Sequence, residues 1–514
     1  MYPAAFIDAV LERLHEAPER EAFRDGRGAV ARGELFAASG RFAYGLLQQG
    51  VRSGDRMLLG LPPDRRHVVA LVGALRLGVV VVPLHPKSKL REVQHLLWDA
   101  GPRVVCAEAP LADLVRASSA AVRTLDVEAL AAPAPRPGDA DEIELVTEHA
   151  GAAARPDDRA LILYTSGTTG KPKGALHTQG SLAANTAALR AAWRMGPDDR
   201  LVLCLPLHHL HGLVVGVLNC LAAGTPFTFE PDFDAERVLA RLVESRATLF
   251  FGVPAMYARL VAAAERRDDA IAPLVPDSMR LFISGSAPFA LALKREFERR
   301  FGHAILERYG ATEIGIALSQ SPDEARPAGA VGRPFDGVET RVVADEGAGA
   351  SAGASAANAD EGELWVRGPS LFRGYFDDEE ATAKALHDGW YRTGDLVRRE
   401  DDGSFRILGR LSTDLIKVKG HRVGALEVEA ALAEHPRVAE VAVVGVPDEE
   451  CGEVPVAFVR ARGVALSVEE LLEHARAVLA PYQVPRRIVI VDELPRAGPG
   501  KVDKKSLQAR ARGG

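Results

Sequence analysis

Apolar positions recur along the chain in two rhythms that take turns. Phe6 to His15 and Arg32 to Gln49 carry them at helical spacing, and Arg56-Met-Leu-Leu-Gly60 follows as a strand. Val68 to Leu77 reads as an apolar helix. Val79-Val-Val-Val-Pro83 is a run of β-branched residues, the pattern of a strand buried on both faces. Leu90 to Asp99 and Arg103-Val-Val-Cys106 repeat helix and strand. Ala160-Leu-Ile-Leu163, Ala175-Leu-His177, Leu201-Val-Leu-Cys-Leu205, Phe250-Phe-Gly-Val-Pro254 and the start of Arg280-Leu-Phe-Ile-Ser-Gly-Ser-Ala-Pro288 add strands, with a helix at Ser181 to Trp193. The alternation predicts an α/β fold with parallel-type sheets and crossover helices. Strands resume at Gly362-Glu-Leu-Trp-Val-Arg367. Glu427-Val-Glu429 opens a helix, and Val441 to Val446 and Arg487 to Val491 read as strands.

Two stretches break the rhythm. Ala131 to Pro137 alternates Ala and Pro as a surface connector, and Glu346 to Asp360 is too poor in apolar bulk to pack. Leu210 to Phe227 has no formal charge. Gly212, Gly216, Asn219 and Gly224 interrupt it, so a buried core segment is expected rather than a membrane span.

Composition narrows the class. With 514 residues, two to four domains are expected. The net charge of −7 argues against a nucleic-acid surface. Cys106, Cys204, Cys220 and Cys451 show neither pairing nor metal spacing, which suits a reducing compartment. Met1 to Phe6 lacks the basic and apolar regions of a secretion signal, so a cytoplasmic protein is expected.

The chemistry concentrates in Tyr164-Thr-Ser-Gly-Thr-Thr-Gly-Lys-Pro-Lys-Gly174. Glycines let this loop turn tightly, while N–H groups, hydroxyls and ammonium groups make a concavity for a polyphosphate. Gly167 and Gly170 enclose only Thr168 and Thr169, and Pro172 follows Lys171, which excludes a Walker A loop. Pro206-Leu-His-His-Leu-His211 follows a buried strand, where ligands of α/β sheets gather. Its histidines have no Cys, Asp or Glu at zinc-ligand spacing.

The phosphate loop resembles that of the AMP-forming adenylate enzymes, which include acyl-CoA synthetases, firefly-type luciferases and peptide-synthetase adenylation domains. The likeness runs from about Phe23 to Leu507 and rests on several separate motifs. It implies that Thr165, Ser166, Gly167, Thr168, Thr169, Gly170 and Lys171 hold the phosphates of ATP. Gly285, Ser286 and Ala287 would form one face of the adenine slot. Leu306-Glu-Arg-Tyr-Gly-Ala-Thr-Glu313 resembles the family's Tyr-Gly-x-Thr-Glu and would bring Glu307, Arg308, Tyr309 and Gly310 to the nucleotide. Tyr309 would cover the other face of adenine, Thr312 would bond the α-phosphate, and Glu313 with Thr168 would hold Mg²⁺. Gly389-Trp-Tyr-Arg-Thr-Gly-Asp395 matches the motif whose Asp binds both ribose hydroxyls, here Asp395.

The same likeness divides the chain into an N-terminal adenylate-forming domain over 1–408, a hinge at 409–414 and a small mobile α+β C-terminal domain over 415–514. Arg410 would contact ribose or phosphate. The hinge segment is one residue longer than usual, which leaves Ser412, Thr413 and Asp414 as candidates. Lys417, Lys419 and Gly420 would line the channel for the thiol of coenzyme A. Lys501, in Pro-Arg-Ala-Gly-Pro-Gly-Lys501, would bridge the acyl carboxylate and the α-phosphate, and His209 would border the acyl channel. The implied activity is a ligase reaction in two steps, from carboxylate and ATP to acyl-AMP, then to acyl-CoA.

Several stretches, among them Pro206 to Leu213 and Gly252 to Tyr257, resemble malonyl-CoA synthetases within the family. Malonate carries a second carboxylate that needs a cation in a dry pocket. Arg259 and Arg280 are the candidates, since guanidinium suits a bidentate carboxylate. Position 311 is Ala where those relatives usually have Met, which implies a roomier pocket. Substituted malonates, a fatty acid or an aryl acid remain open, as does a carrier-protein thiol in place of CoA.

Overall fold

A computed structural model describes residues 5–132, 154–165, 172–266, 274–287, 289–327, 329–344, 359–411, 414–419, 421–448, 450–463, 466–496 and 502–512. Three sheets carry the architecture. The largest begins with six strands in which Glu21–Asp25, Phe227–Phe229, Leu201–Leu203, Leu249–Gly252, Leu281–Ser284 and Ile305–Ala311 lie side by side in parallel, while Gly28–Ala31 pairs antiparallel at the edge. These strands are almost continuously apolar and nearly all buried, as sheets covered on both faces must be. From Ile305–Ala311 onward the same sheet turns antiparallel through Gly315–Ser319, Ala330–Pro334, Phe405–Arg410, Trp390–Arg399, Glu361–Arg367 and Glu339–Val343. The parallel expectation therefore holds only for the first half. Past residue 305 consecutive strands are joined mostly by short connections, with the one short helix Glu379–Ala385 among the described residues up to Arg410, and antiparallel pairing is what short connections permit.

A second sheet orders Gly374–Tyr375, Lys173–Thr178, Arg159–Thr165, Val80–Pro83, Arg56–Gly60, Val104–Ala107 and Arg123–Thr124. Its parallel strands alternate with the helices Arg65–Arg76 and Leu90–Asp99. The hairpin of Arg159–Thr165 and Lys173–Thr178 is antiparallel and pairs Thr165 with Lys173 at its loop end. One large hydrophobic core fills the space between these two sheets and their helices, running from Ala5 to Phe335.

Residues from 415 onward build a third sheet of their own. Leu415–Val418, Gly452–Ala461 and Val438–Asp448 pair antiparallel, and Arg487–Ile490 adds in parallel. The helices Ala425–Ala433 and Val468–Val478 close one face over Ile416, Val428, Leu432 and Leu471. Lys504–Arg512 closes the other over Val444, Phe458 and Leu507. The apolar stretch Leu210 to Phe227 is core, as expected, but its backbone is unexpected. His211–Leu218 is π-helical, followed by the helix Asn219–Ala223 and the strand Phe227–Phe229. Among the described residues, no helix is long and apolar enough to cross a membrane.

Candidate active site

The end of Ile305–Ala311, the turn that follows it and the antiparallel strands beside them bring the candidate residues together. Asp395, almost fully buried on Trp390–Arg399, lies opposite Arg410 in the adjacent strand. Its carboxylate takes an ion pair from Arg410 Nε at 2.8 Å and a hydrogen bond from the Tyr309 hydroxyl at 2.5 Å. Burial, and then the Asp395 charge, hold the Tyr309 phenol well above its ordinary pKa, so it stays a donor. An acceptor-rich carboxylate beside a flat ring suits ribose next to an aromatic base.

Glu313 projects from the turn between Ile305–Ala311 and Gly315–Ser319 and is buried. One carboxylate oxygen accepts from the Tyr375 hydroxyl at 2.9 Å, and among the described residues the other takes no hydrogen bond. Lys173 lies 5.1 Å from the Tyr375 ring. A buried hard oxygen beside the loop end of the hairpin fits Mg²⁺, which shares its ligands with phosphates. Glycine at 310 is obligatory for this turn. A Cβ there would stand 2.2 Å from the Gly315 carbonyl oxygen.

His177 ties the turn to the hairpin. Its Nε2 donates to the Thr312 carbonyl at 2.6 Å, which leaves Nδ1 facing Ser181 Oγ at 3.1 Å. Burial pushes the ring down to about 4, so it is neutral at pH 7. The sequence offered no signal for this residue beyond its place at the end of a strand.

The histidines after Leu201–Leu203 separate in space. His208 packs edge-on against His85, with ring centroids 4.7 Å apart, and burial pushes it down to about 2. His209 lies against His208 with ring centroids 4.0 Å apart and is exposed. His211 turns inward at the start of the π-helix, and among the described residues neither of its ring nitrogens has a hydrogen-bond partner. π-Helical turns recur at functional sites because they re-aim side chains. Among the described residues, no group of three His, Cys, Asp or Glu is placed to hold a metal ion.

The turn after Leu281–Ser284 keeps Ser286 at φ +70°, a strained left-handed conformation for a residue with a Cβ. Arg308 runs beneath this turn. A Cβ on Gly285 would lie 2.4 Å from Arg308 Cζ, so the guanidinium occupies the space glycine leaves.

Three sequence expectations need correction. Arg280 does not face the acyl side. It precedes Leu281–Ser284 at the amino end of the sheet and grips Asp199 through Nε and Nη2, each at 2.7 Å. Glu307 points its carboxylate at buried Lys294, 2.8 Å away, and its main chain is bonded to Gln320, so it is not placed to contact a nucleotide through its side chain. Arg308 is likewise buried and cannot reach a phosphate as a surface cation would. Arg259 is exposed on Pro254–Glu265, its guanidinium 4.8 Å over the Phe233 ring. Ala311 ends its strand partly buried, while Lys417 and Lys419 are exposed, Lys419 at φ +48°.

The calls on Ser166, Gly167, Thr168, Thr169, Gly170, Lys171, Ser412, Thr413, Gly420 and Lys501 lie outside the described residues. Asp414 is described and buried. It accepts the Arg410 N–H at 3.0 Å and Lys504 Nζ at 2.7 Å, and Lys504 also meets Glu429 at 2.7 Å. Sequence reasoning did not single out Lys504, whose partners lie 75 and 90 residues away in the chain.

Comparison with known proteins adds to this geometry. A family model described as AMP-binding enzyme matches residues 10–376, and one described as AMP-binding enzyme C-terminal domain matches 427–501. The chain is 37% identical to the mitochondrial malonate–CoA ligase ACSF3 of Homo sapiens, covering 95% of this chain and 89% of that one. It is 33% identical to a feruloyl-CoA synthase of Amycolatopsis sp, covering 97% and 98%. The ATP-bound structure of MatB from Rhodopseudomonas palustris superposes with a TM-score of 0.85 at 33% identity, covering 98% of this chain and 99% of that one.

Proposed function

The chain belongs to the AMP-binding enzyme family, and from that premise we propose malonate or a substituted malonate as the acid that this ATP-dependent, AMP-forming acyl-CoA ligase activates. The observation that carries the choice of acid is the 37% identity to a malonate–CoA ligase along 95% of the chain. CoA is the acceptor thiol, in keeping with the names of both curated relatives. The name of ACSF3 places that relative in mitochondria, so the likeness lends no support to the cytosol expected from the sequence.

The residues divide the work as follows. Asp395 takes the ribose hydroxyls, with Tyr309 on the adenine and Arg410 holding the carboxylate in place. The loop 166–171 and Thr312 hold the phosphates. Glu313 with Thr168 would hold Mg²⁺, which supplies charge neutralisation on the departing pyrophosphate. The acyl carboxylate attacks the α-phosphorus in line, so the protein's task is positioning and charge stabilisation. Lys501 bridges the carboxylate and the α-phosphate in this step. The CoA thiol then attacks the acyl carbonyl along a channel past His209, lined by Lys417, Lys419 and Gly420, and AMP leaves.

Lys501 and the thiol channel cannot serve one face together. The division into residues 1–408 and 415–514 about a hinge at 409–414 lets a rigid rotation exchange them. The buried carboxylate of Asp414, bonded to Arg410 within the hinge and to Lys504 in the part that follows it, supports it as the pivot.

The test is pyrophosphate release with Mg-ATP over malonate, methylmalonate, acetate, octanoate and benzoate, with and without CoA. Dicarboxylate-dependent release with thioester formation is expected. A preference for octanoate or benzoate would overturn the choice of acid and leave the two-step ligation intact.

A further inference from the structure

The helix Leu90–Asp99 touches both stems of the phosphate loop. Its buried Val93 and Leu96 pack into a small core with Val80, Val82, Ile162 and Leu176, so apolar contacts already set its position on the second sheet. Two polar side chains of the helix add something else. His95 and Asp99 are four residues apart and therefore lie on one face. His95 Nε2 donates to the Pro172 carbonyl at 2.9 Å. Asp99 Oδ2 accepts from the Tyr164 hydroxyl. The His95 ring meets the Tyr164 ring edge-on, with centroids 5.8 Å apart. Tyr164 precedes residues 166–171 on one strand of the hairpin, and Pro172 follows them just before the other strand.

The helix itself gives these contacts no reason to exist. Asp99 is its last residue, at the end where the helix dipole disfavours a carboxylate. Burial, and then Asp99, hold the Tyr164 phenol above its ordinary pKa, so it stays a donor to that carboxylate. The Tyr164 ring in turn lies over the facing strand at Gly174. A Cβ there would stand 3.2 Å from Tyr164 Cζ and 2.6 Å from Ile162 Cγ2. Gly174, which the sequence offers as part of the phosphate-binding motif, thus makes room for the side chain that Asp99 holds.

We propose that His95 and Asp99 are positioning residues for ATP: one helix turn fixes both stems from which residues 166–171 span, and so sets where the phosphates are held. The inference rests on the reading that those residues bind the phosphates. Ordering a segment with two glycines around a polyphosphate costs conformational entropy, and the cost falls when both ends are already fixed. His95 fixes the main chain on one side, and Asp99 fixes the tyrosine on the other. The effect falls on ATP and pyrophosphate, the ligands of that loop, and not on the acid or the thiol.

The experiment measures ATP–pyrophosphate exchange with the acid that wild type uses best, beside thioester formation from supplied acyl-AMP and CoA. The proteins are wild type, His95→Leu, His95→Gln, Tyr164→Phe and the double variant Thr168→Ala with Lys171→Ala. In His95→Leu and in Tyr164→Phe, KM for ATP and for pyrophosphate should rise roughly 5- to 20-fold, the worth of one hydrogen bond lost at each stem. KM for the acid and the rate from supplied acyl-AMP should stay near wild type. His95→Gln, whose amide can still donate to the Pro172 carbonyl, should recover most of the loss. A lower melting temperature with the ATP, acid and thiol steps weakened together would overturn the assignment, and so would unchanged KM for ATP and pyrophosphate. If His95→Leu does not fold, Tyr164→Phe, which keeps the ring, decides on the same readouts. The double variant separates the two readings. If it leaves KM for ATP and pyrophosphate unchanged, the phosphate role of residues 166–171 falls and this inference falls with it. If it raises both while His95→Leu and Tyr164→Phe leave them unchanged, only this inference is removed.

Discussion

Tyr309 and Asp395, 86 residues apart, share a 2.5 Å hydrogen bond, and Arg410 holds the same carboxylate from the neighbouring strand at 2.8 Å. One contact therefore joins the adenine-slot motif, the ribose motif and the strand that leads into the hinge. Asp395→Asn keeps the shape but removes the charge that both partners serve. KM for ATP should rise about 10- to 100-fold, the worth of hydrogen bonds to a charged group. ATP–pyrophosphate exchange at varied ATP measures it, and an unchanged KM would sink the ribose role.

Arg280 and Asp199 make the opposite kind of pair, bidentate and remote from the candidate site. Arg280→Met leaves Asp199, 6% exposed, without its main counter-charge. Breaking such a pair costs ~3–5 kcal/mol, so the melting temperature should drop by several degrees. The malonate-to-butyrate preference should not move. A selective loss of malonate activity with unchanged melting would return Arg280 to the acyl pocket.

Much of this molecule is legible in its sequence, for physical reasons. Val80–Pro83 and Leu249–Gly252 announce themselves because strands covered on both faces must be apolar throughout. The Gly310 turn is legible because no other residue fits 2.2 Å from a carbonyl. What was hidden depends on partners far along the chain. Arg259, Arg280 and Arg308 look alike as letters. Their fates are set by Phe233, by Asp199 and by the gap at Gly285. The π-helix at His211–Leu218 was hidden because a segment apolar all round has no periodicity to read. The antiparallel half was missed because its strands carry the same alternation as parallel neighbours would at an edge.

His177 makes stability depend on pH. Its ring is neutral in the fold down to about pH 4 but takes a proton near pH 6.5 when unfolded. The unfolded state therefore binds more protons between those values, and stability falls as pH drops from 6.5 toward 4. The gap corresponds to roughly 3 kcal/mol for this residue alone. His67, also buried and pushed down to about 4, adds in the same direction. Chemical denaturation at pH 7.5, 6, 5 and 4.5 should trace the fall, and His177→Gln should flatten part of it while lowering stability at pH 7.5. A profile of the variant parallel to wild type would show that His177 is not among the groups responsible.

Lys501 and Lys504 are three residues apart and should fail in different ways. Lys504 is held by Asp414 and Glu429, and those two carboxylates keep its pKa raised against the pull of burial. Lys504→Met leaves two buried carboxylates facing each other and should cost ~3–5 kcal/mol of stability, with both half-reactions weakened together. Lys501→Ala should melt like wild type, because the role proposed for that residue is to bridge the reacting groups. It should block formation of acyl-AMP, yet turn supplied acyl-AMP and CoA into thioester at a near-normal rate. Stopped-flow assays of the two half-reactions, beside thermal melts, separate the lysines. Equal loss of both half-reactions in Lys501→Ala would place that residue in neither step in particular and would remove the reason for a domain rotation between them.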